Sequence, residues 1–600
     1  MLDPQPLSYR QRWQHIWPVL RAYWVSREKW GAWGLLLLLV VILLIRTGLQ
    51  VLFLIFGGEL TSALAAQDRD RFVQALFIFL GVLAVGVPFA SLSGYLGAEL
   101  GLYWREWLTR RYLHRYLDDA QFYQLRLQGR VDNPDQRLEA DIRTLTQESL
   151  RFLMIGLESV FQLIGIAGVL WAISQPLTVF LVVYSVVGTA IATFFFGRML
   201  VGINYEQLRR EADFRFGLAR IRENAEAIAL YRGETPELRQ SWQQFLSAFY
   251  NFKRLIRWQL GLNLFQNHYR YATFVIPGLI LAPRLFAGEL EIGNVTQAGA
   301  AFSLMLGALA LIVLQMQQLT NLAAAAQRLG QLDYALKQAH PSSPSGSLTY
   351  IQRQPGDAIA LHHLTIQTPD GQTTLVRDLS VSVPNQQHLL IVGPSGVGKS
   401  SLLRAIAGLW QIGSGTITAP TPSDMMFLPQ RPYLIQGSLR QQLLYPAGAV
   451  SPSQVVSKDP LSNRNSGDRA QESARNVSQI SDDVMIAVLK QVNLTELLER
   501  WGGLDGGIEE IQTLSGGEQQ RLAFARLLLK SPHYALLDEA TSALDLSNEA
   551  QLYEALQSTK TTFISVGHRS SLRPYHQHVL EMFAEPGWTI EAIAGQKPNA

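Results

Sequence analysis

The pattern of apolar and polar positions changes character once, near Leu336. Before it, long apolar runs are separated by arginine-rich stretches; after it, short runs such as HLLIVG (388–393), YALLDE (534–539) and TFISVG (562–567) alternate with helical patterns. A helix needs about 20 mainly apolar residues to cross a bilayer. Six runs meet that need, beginning near Trp33, Phe72, Phe152, Leu177, Tyr271 and Val295, the last diluted by alanine, glycine and glutamine. They predict an all-α six-helix transmembrane domain over residues 31–337. The later alternation predicts an α/β domain with a mostly parallel sheet over 358–600. HPSSPSGS (340–347) marks a linker, placed at 338–357. Within the α/β part, the Ser/Asn/Asp-rich stretch 451–479 predicts a disordered surface insertion over 449–480. Residues 1–30 carry Trp13, Trp17, Trp24 and Trp30 among basic residues, the composition of an interfacial elbow helix, with a helix packed on the bundle as the alternative.

Composition agrees with a lipid bilayer as the surroundings of the first part. Only 16% of residues are charged, against about 25% in soluble domains. The net charge of +3 is not gathered into one basic patch, so no nucleic-acid partner is expected. Arginines crowd the segments between runs two and three and between runs four and five, whereas the link at 174–176 is short and uncharged. Long basic segments belong in the cytoplasm, so both termini are expected there. There are no cysteines, which excludes disulfides, thiolate metal sites and cysteine nucleophiles. The N-terminus lacks a basic region leading into a short apolar core, so no cleavable leader is expected.

GPSGVGKS (393–400) lies between the strand-like HLLIV and the helical SLLRAIAGLW, the context a P-loop requires. Gly393, Gly396 and Gly398 let backbone N–H groups face phosphates, with Pro394, Ser395 and Val397 between them, and the helix N-terminus adds its dipole. Lys399 should reach the β- and γ-phosphates of ATP, Ser400 should hold Mg²⁺, and Ser401 completes the phosphate-binding set. In YALLDEATSALD (534–545) four apolar residues end at Asp538, the expected Mg²⁺ partner. Glu539 is the candidate general base, or the group that orients the attacking water. A lone buried Asp-Glu pair could cap a helix; a P-loop in the same domain decides against that. Ser515, Gly516, Gly517 and Glu518, in LSGGEQQR (514–521), precede another helical run and form a second anion-binding helix N-terminus. One nucleotide does not need two such grips unless the second closes over ATP held by another copy, so a homodimer with two sites is expected.

The P-loop, LSGGEQ and LLDEATSALD together resemble the ATP-binding cassette (ABC) ATPases over roughly residues 358–590. The resemblance implies that Gln430, in FLPQRPYL, senses Mg²⁺, that His568, in SVGHR, contacts the γ-phosphate, and that Asp545 lies at a dimer interface. It also implies an adenine-stacking aromatic where this chain reads TPDG (368–371); Thr368 cannot stack. DNPDQR, ENAEAIALYRGE, SSLLRAIAGLW and SVGHR are similar to one branch, the SbmA/BacA-like bacterial transporters with fused ATPases and the peroxisomal acyl-CoA (ABCD) half-transporters. That implies an exporter-type membrane domain followed by a P-loop nucleotide-binding domain. The function implied is ATP-driven transport of a hydrophilic or amphipathic substrate, with peptide, cobalamin-like cofactor, or acyl-CoA and fatty acid as candidate cargoes. A bacterial inner membrane is the expected location, and an ATP-gated channel or regulatory scaffold is the alternative function.

Two polar features interrupt the apolar half. In VDNPDQRLEAD (131–141), Asn133 is placed to N-cap a short helix, with Pro134 in its first turn and Gln136 at capping-box spacing. With RENAEAIALYRGE (222–234), the resemblance implies coupling helices near 133–141 and 222–232 that contact an ATPase domain through exposed carboxylates and Arg137. Arg46 and Gln50 share a face in run one, and Glu158 and Gln162 repeat that spacing in run three. Charge inside a membrane is costly and marks a pathway by default, with a packing ion pair as the alternative. Their depths leave open whether Arg46 and Glu158 meet.

Overall fold

The computed structural model describes residues 9–129, 131, 133–309, 315–338, 349–446, 480–506, 514–585 and 587–593. The HPSSPSGS linker signal and the insertion expected at 451–479 lie outside the described residues. The chain forms two compact units, Met1–Leu125 with Gly129–His340, and Arg126–Gln128 with Pro341–Ala600.

The first unit is helical: α1 Tyr9–Trp24, α2 Lys29–Ala65, α3 Arg69–Leu117, α4 Ile142–Ile173, α5 Gln175–Ile191, α6 Arg198–Glu223, α7 Glu234–Phe286, α8 Ile292–Leu309 and α9 Met316–Gln338. Among the described residues, three helical stretches are long and apolar enough to cross a membrane: Lys29–Ala65, Arg69–Leu127 and Pro134–Ile173. Shorter apolar stretches, Gln175–Gly188 and Val275–Phe286, lie in the fourth and fifth runs read from the sequence. A wide π-helical turn, Ala192–Gly197, carries α5 into α6. The turn between α2 and α3 is closed by Asp68, whose side chain accepts from the Arg71 N–H at 3.1 Å. Arg71 in turn pairs with Glu59 of α2 and with Glu291 just before α8. The α2–α8 crossing is close because both helices carry glycine there. A Cβ on Gly293 would lie 2.1 Å from the Gly58 carbonyl oxygen.

Helix α1 uses one face for the bundle: Val19 and Tyr23 bury with Trp104 and Trp107 of α3 and Leu329 and Leu332 of α9. Trp17 and Trp30 stay exposed, so the tryptophans divide between bundle packing and the outer surface.

The DNPDQR segment departs from the expected capped, exposed helix. Asn133 has φ of +41° and its side chain makes no cap hydrogen bond. After one turn (Pro134–Gln136) the chain widens into a π-helical turn, Arg137–Asp141, that runs directly into α4. Asp135, Gln136 and Glu139 face outward, but Arg137 and Asp141 are buried. Both bind α9: Asp141 accepts from Arg328 Nε and Nη2 at 2.7 and 2.5 Å, and Arg137 donates to the Arg328 carbonyl at 2.8 Å. Helix α9 is pinned again where Asp333 takes Arg115 of α3 at 2.8 Å, while Lys337 on the same helix pairs with Asp333 at 2.6 Å. The second expected segment forms a short helix, Ala225–Leu230, with Leu230 and Tyr231 strongly exposed.

The second unit holds two sheets. Strands β1 (Gln352–Pro355), β2 (Ile359–Gln367), β3 (Thr374–Val383) and β5 (Gly413–Ala419) form one, in the order β1-β5-β2-β3; β1 falls inside the region read as linker. The larger sheet has the order β10-β9-β4-β8-β7-β6 and is parallel except for β10. Its strands are β4 Leu389–Val392, β6 Met425–Leu428, β7 Tyr534–Asp538, β8 Thr562–Val566, β9 His578–Met582 and β10 Trp588–Ala592. Both faces are covered, so central strands read as continuous apolar runs rather than alternating ones. Ile391, Leu536 and Ile564 enter one core with Leu402 and Leu403 of α10 (Lys399–Ile406). Leu390, Leu537 and Phe563 enter the other, with Leu522 and Phe524 of α11 (Gly516–Lys530) and Leu552 of α12 (Leu546–Gln557).

Candidate nucleotide-binding site

Parallel strands place their following loops along one edge, where ligands of open α/β sheets bind. Here β4 is followed by the P-loop, β7 by Glu539, β8 by His568 and β6 by Gln430. Gly393 leaves β4 at φ +142°, and a Cβ there would sit 2.3 Å from the Met582 carbonyl oxygen, so only glycine fits. Gly396 and Gly398 also have positive φ, and Gly398 is the N-cap of α10. Pro394, Ser395 and Val397 lie in this loop, and Ser400 and Ser401 in the first turn of α10. Lys399 is buried and folds its ammonium back on the loop, donating to the Gly393 and Pro394 carbonyls at 2.8 and 2.7 Å. Burial lowers its pKa, against the raising influence of Glu539 and Asp538. A bound phosphate would have to draw Nζ away from those two carbonyls.

Asp538 ends β7 and is buried; Ser400 Oγ donates to its Oδ1 at 2.8 Å. Desolvation raises the Asp538 pKa, opposed by the Ser400 hydrogen bond. A hydroxyl and a carboxylate in contact offer oxygen donors of the kind that suit a hard cation such as Mg²⁺. Glu539 takes a left-handed φ of +48°, held by its N–H donating to Val566 O at 3.0 Å. Such a backbone costs a non-glycine residue roughly 1–2 kcal/mol, sustained by surrounding structure at functional sites. Gln430 Nε2 donates to Glu539 Oε2 at 2.7 Å, and His568 Nε2 lies 3.3 Å from Oε1. The structure thus gathers Gln430, Glu539 and His568 beside the Ser400–Asp538 pair.

Ser515 and Glu518 form a reciprocal capping box at the start of α11: Ser515 Oγ accepts from the Glu518 N–H, and Glu518 Oε2 accepts from the Ser515 N–H at 2.7 Å. Gly516 and Gly517 occupy the first two positions, leaving the helix end accessible to an anion without side-chain obstruction. Arg500 donates to Glu518 at 2.8 Å. Asp545 caps α12 by accepting from the Asn548 N–H at 2.8 Å. Thr368 makes a turn, its hydroxyl bonded to Asp370 at 2.5 Å, and presents no ring. Leu375 packs beside the P-loop instead, its Cβ 3.1 Å from where a Cβ on Gly398 would be.

Three residues not singled out from the sequence tie these loops together. Buried Gln520 donates to the Gln430 carbonyl at 3.3 Å and to Ser542 Oγ at 3.1 Å, and accepts from the Ala543 N–H at 2.9 Å. Arg526, one side of α11 further on, donates to the carbonyls of Tyr433 and Gln442, each at 2.7 Å. Arg569 reaches the carbonyls of Leu544 and Ser542 at 2.8 and 3.2 Å. Gln520 stands within the LSGGEQQR stretch, but its partners are distant in sequence and carry no spacing signal.

Known proteins resemble this chain over most of its length. Residues 20–286 match the family described as ABC transporter transmembrane region 2, and residues 376–542 the family described as ABC transporter. An uncharacterised ABC transporter ATP-binding protein of Synechocystis sp. is 43% identical, covering 94% of this chain and 83% of that protein. The chloroplastic ABC transporter D family member 2 of Arabidopsis thaliana is 39% identical, covering 97% and 89%. The human lysosomal cobalamin transporter ABCD4 is 29% identical, covering 98% and 97%. A helical membrane region fused to a single cassette ATPase, aligned over nearly its whole length with such relatives, places this chain in the ABC transporter family as an ABCD-type half-transporter.

Proposed function

We propose that the chain acts as a homodimer in a bacterial inner membrane, its ATPase domains in the cytoplasm, and moves an amphipathic or hydrophilic substrate at the expense of ATP. Each ATP would lie between the P-loop of one copy and residues 515–518 of the other. Backbone N–H groups of 393–400 and Lys399 would hold the phosphates, and Ser400, Asp538 and Gln430 would hold Mg²⁺. Mg²⁺, when bound, neutralises charge on the phosphate oxygens. Glu539 would accept a proton from the attacking water, while His568 would turn from the carboxylate to the γ-phosphate. The observation that carries this reading is the double contact on Glu539, from Gln430 at 2.7 Å and His568 at 3.3 Å. Those contacts hold a carboxylate beside the P-loop and link it to two loops able to report nucleotide state.

Candidate cargoes are a cobalamin-like cofactor, in line with the name of the human relative, a peptide, and an acyl-CoA or fatty acid. The shared site has a direct test. Lys399→Ala and Ser515→Phe chains should each fail to trap nucleotide with vanadate. Co-expressed, they should form mixed dimers with one intact site, and trapping should return. No recovery in isolated mixed dimers would contradict a site shared between copies.

A further inference from the structure

Arg46 of α2 and Glu158 of α4 form an ion pair, with Nη2 2.9 Å from Oε1 and Nη1 3.3 Å from Oε2. One turn along, Gln162 Nε2 donates to Glu158 Oε1 at 3.2 Å and to Gln50 Oε1 at 3.0 Å. An ionised carboxylate only accepts, so Gln162 must turn its NH₂ toward Glu158 and Gln50. Gln50 then accepts through its oxygen, and its own NH₂ has no protein acceptor among the described residues. Arg46 Nε–H likewise has none. The cluster is therefore net neutral but has spare donors.

Its surroundings restrict what can satisfy them. Arg46 and Glu158 stand near the middle of two membrane-length helices, yet their side chains are 35% and 21% exposed. A charged residue at the bilayer centre costs roughly 2.5–3.5 kcal/mol, so a part-exposed pair is not expected to face lipid. On α4, Leu153, Val160 and Ile164 point the opposite way and are exposed apolar residues, the composition of a lipid-facing side.

We propose that the Arg46–Gln50–Glu158–Gln162 face lines a water-filled part of the transport path and recognises the anionic group, carboxylate or phosphate, of an amphipathic cargo. Arg46 Nε–H and the Gln50 NH₂ supply the donors, and Glu158 holds the guanidinium in place. The choice of cargo class rests on the transporter reading; the accessibility of this face does not.

The chain contains no cysteine, so single thiols can be introduced without background. Full-length Gln50→Cys and Ile164→Cys proteins in nanodiscs would be treated with an anionic and a cationic methanethiosulfonate of similar size. Gln50→Cys should react about tenfold faster or more than Ile164→Cys, because charged reagents reach only wetted thiols. Combining Gln50→Cys with Arg46→Gln should shift reactivity toward the cationic reagent, and combining it with Glu158→Gln toward the anionic one. The second pairing keeps the test valid if Arg46→Gln does not fold. Decanoate and decyl phosphate should slow labelling more than decanol does, and their relative potency separates carboxylate from phosphate. Labelling no faster than at Ile164→Cys would overturn the pathway assignment. Equal protection by decanol, or no charge-dependent shift, would overturn anion recognition. ATP-dependent uptake, measured separately, tests transport itself.

Discussion

Replacing Asp141 with asparagine should loosen the attachment of the 133–146 segment to α9. The carboxylate is 2% exposed and takes two hydrogen bonds from Arg328, whose side chain is 44% exposed. Removing one partner of a fully buried pair costs about 3–5 kcal/mol, mostly from leaving the other charge stranded. Water can reach Arg328, so the cost here should fall to about 2–3 kcal/mol. Asparagine also turns an NH₂ or a weaker neutral acceptor toward a guanidinium that needs anionic acceptors. If local opening limits exchange, backbone amides near 138–146 should lose protection about 30- to 150-fold in hydrogen exchange on the full-length protein in nanodiscs. Arg328→Met should remove most of the further effect of Asp141→Asn, since the pair then has no partner to lose. Unchanged protection in Asp141→Asn would refute the argument that this ion pair holds the segment.

Other outcomes follow from the ATPase domain. Gly393→Ala should abolish nucleotide binding, measured with a fluorescent ATP analogue, because its Cβ would meet the Met582 carbonyl at 2.3 Å. Gln520→Ala should lower ATP turnover by about tenfold with little change in nucleotide affinity, the pattern of a positioning residue that sets loops without touching phosphate. His388 and His576 are both buried, and burial lowers each pKa from 6.5 to about 4. The unfolded chain binds more protons between those values, so stability conferred by the neutral rings should be lost as pH falls from 6.5 toward 4. Thermal unfolding of the ATPase domain, followed across that range, should show less pH dependence in His388→Gln.

The strand–loop–helix junctions at the sheet edge were legible because each is local in sequence. GPSGVGKS, LLDEATSALD and LSGGEQ each join a strand or loop to a helix within a few residues, and the parallel sheet collects those junctions along one edge. The DNPDQR segment departs from the sequence expectation for the opposite reason. Asn133 and Gln136 have capping-box spacing, but a left-handed Asn133 and the pull of Arg328, almost two hundred residues away, give a π-helical turn with Arg137 and Asp141 buried. The spacing of Arg46, Gln50, Glu158 and Gln162 marked a shared face on each helix. Whether the two faces meet depends on helix packing, which places Gly165 of α4 against Val51 of α2 and brings the four side chains into contact. Gln520 and Arg526 illustrate the same limit: their positions on α11 were readable, but not the distant carbonyls they hold.

Whether Glu539 is the proton acceptor is tested by comparing ATP hydrolysis by the full-length protein in nanodiscs with that of Glu539→Gln. The carboxylate is held by Gln430 and His568 and should be the proton acceptor, so the variant should bind ATP normally but turn over about 10²–10³-fold more slowly. Hydrolysis at the wild-type rate by Glu539→Gln would show that Glu539 does not take the proton.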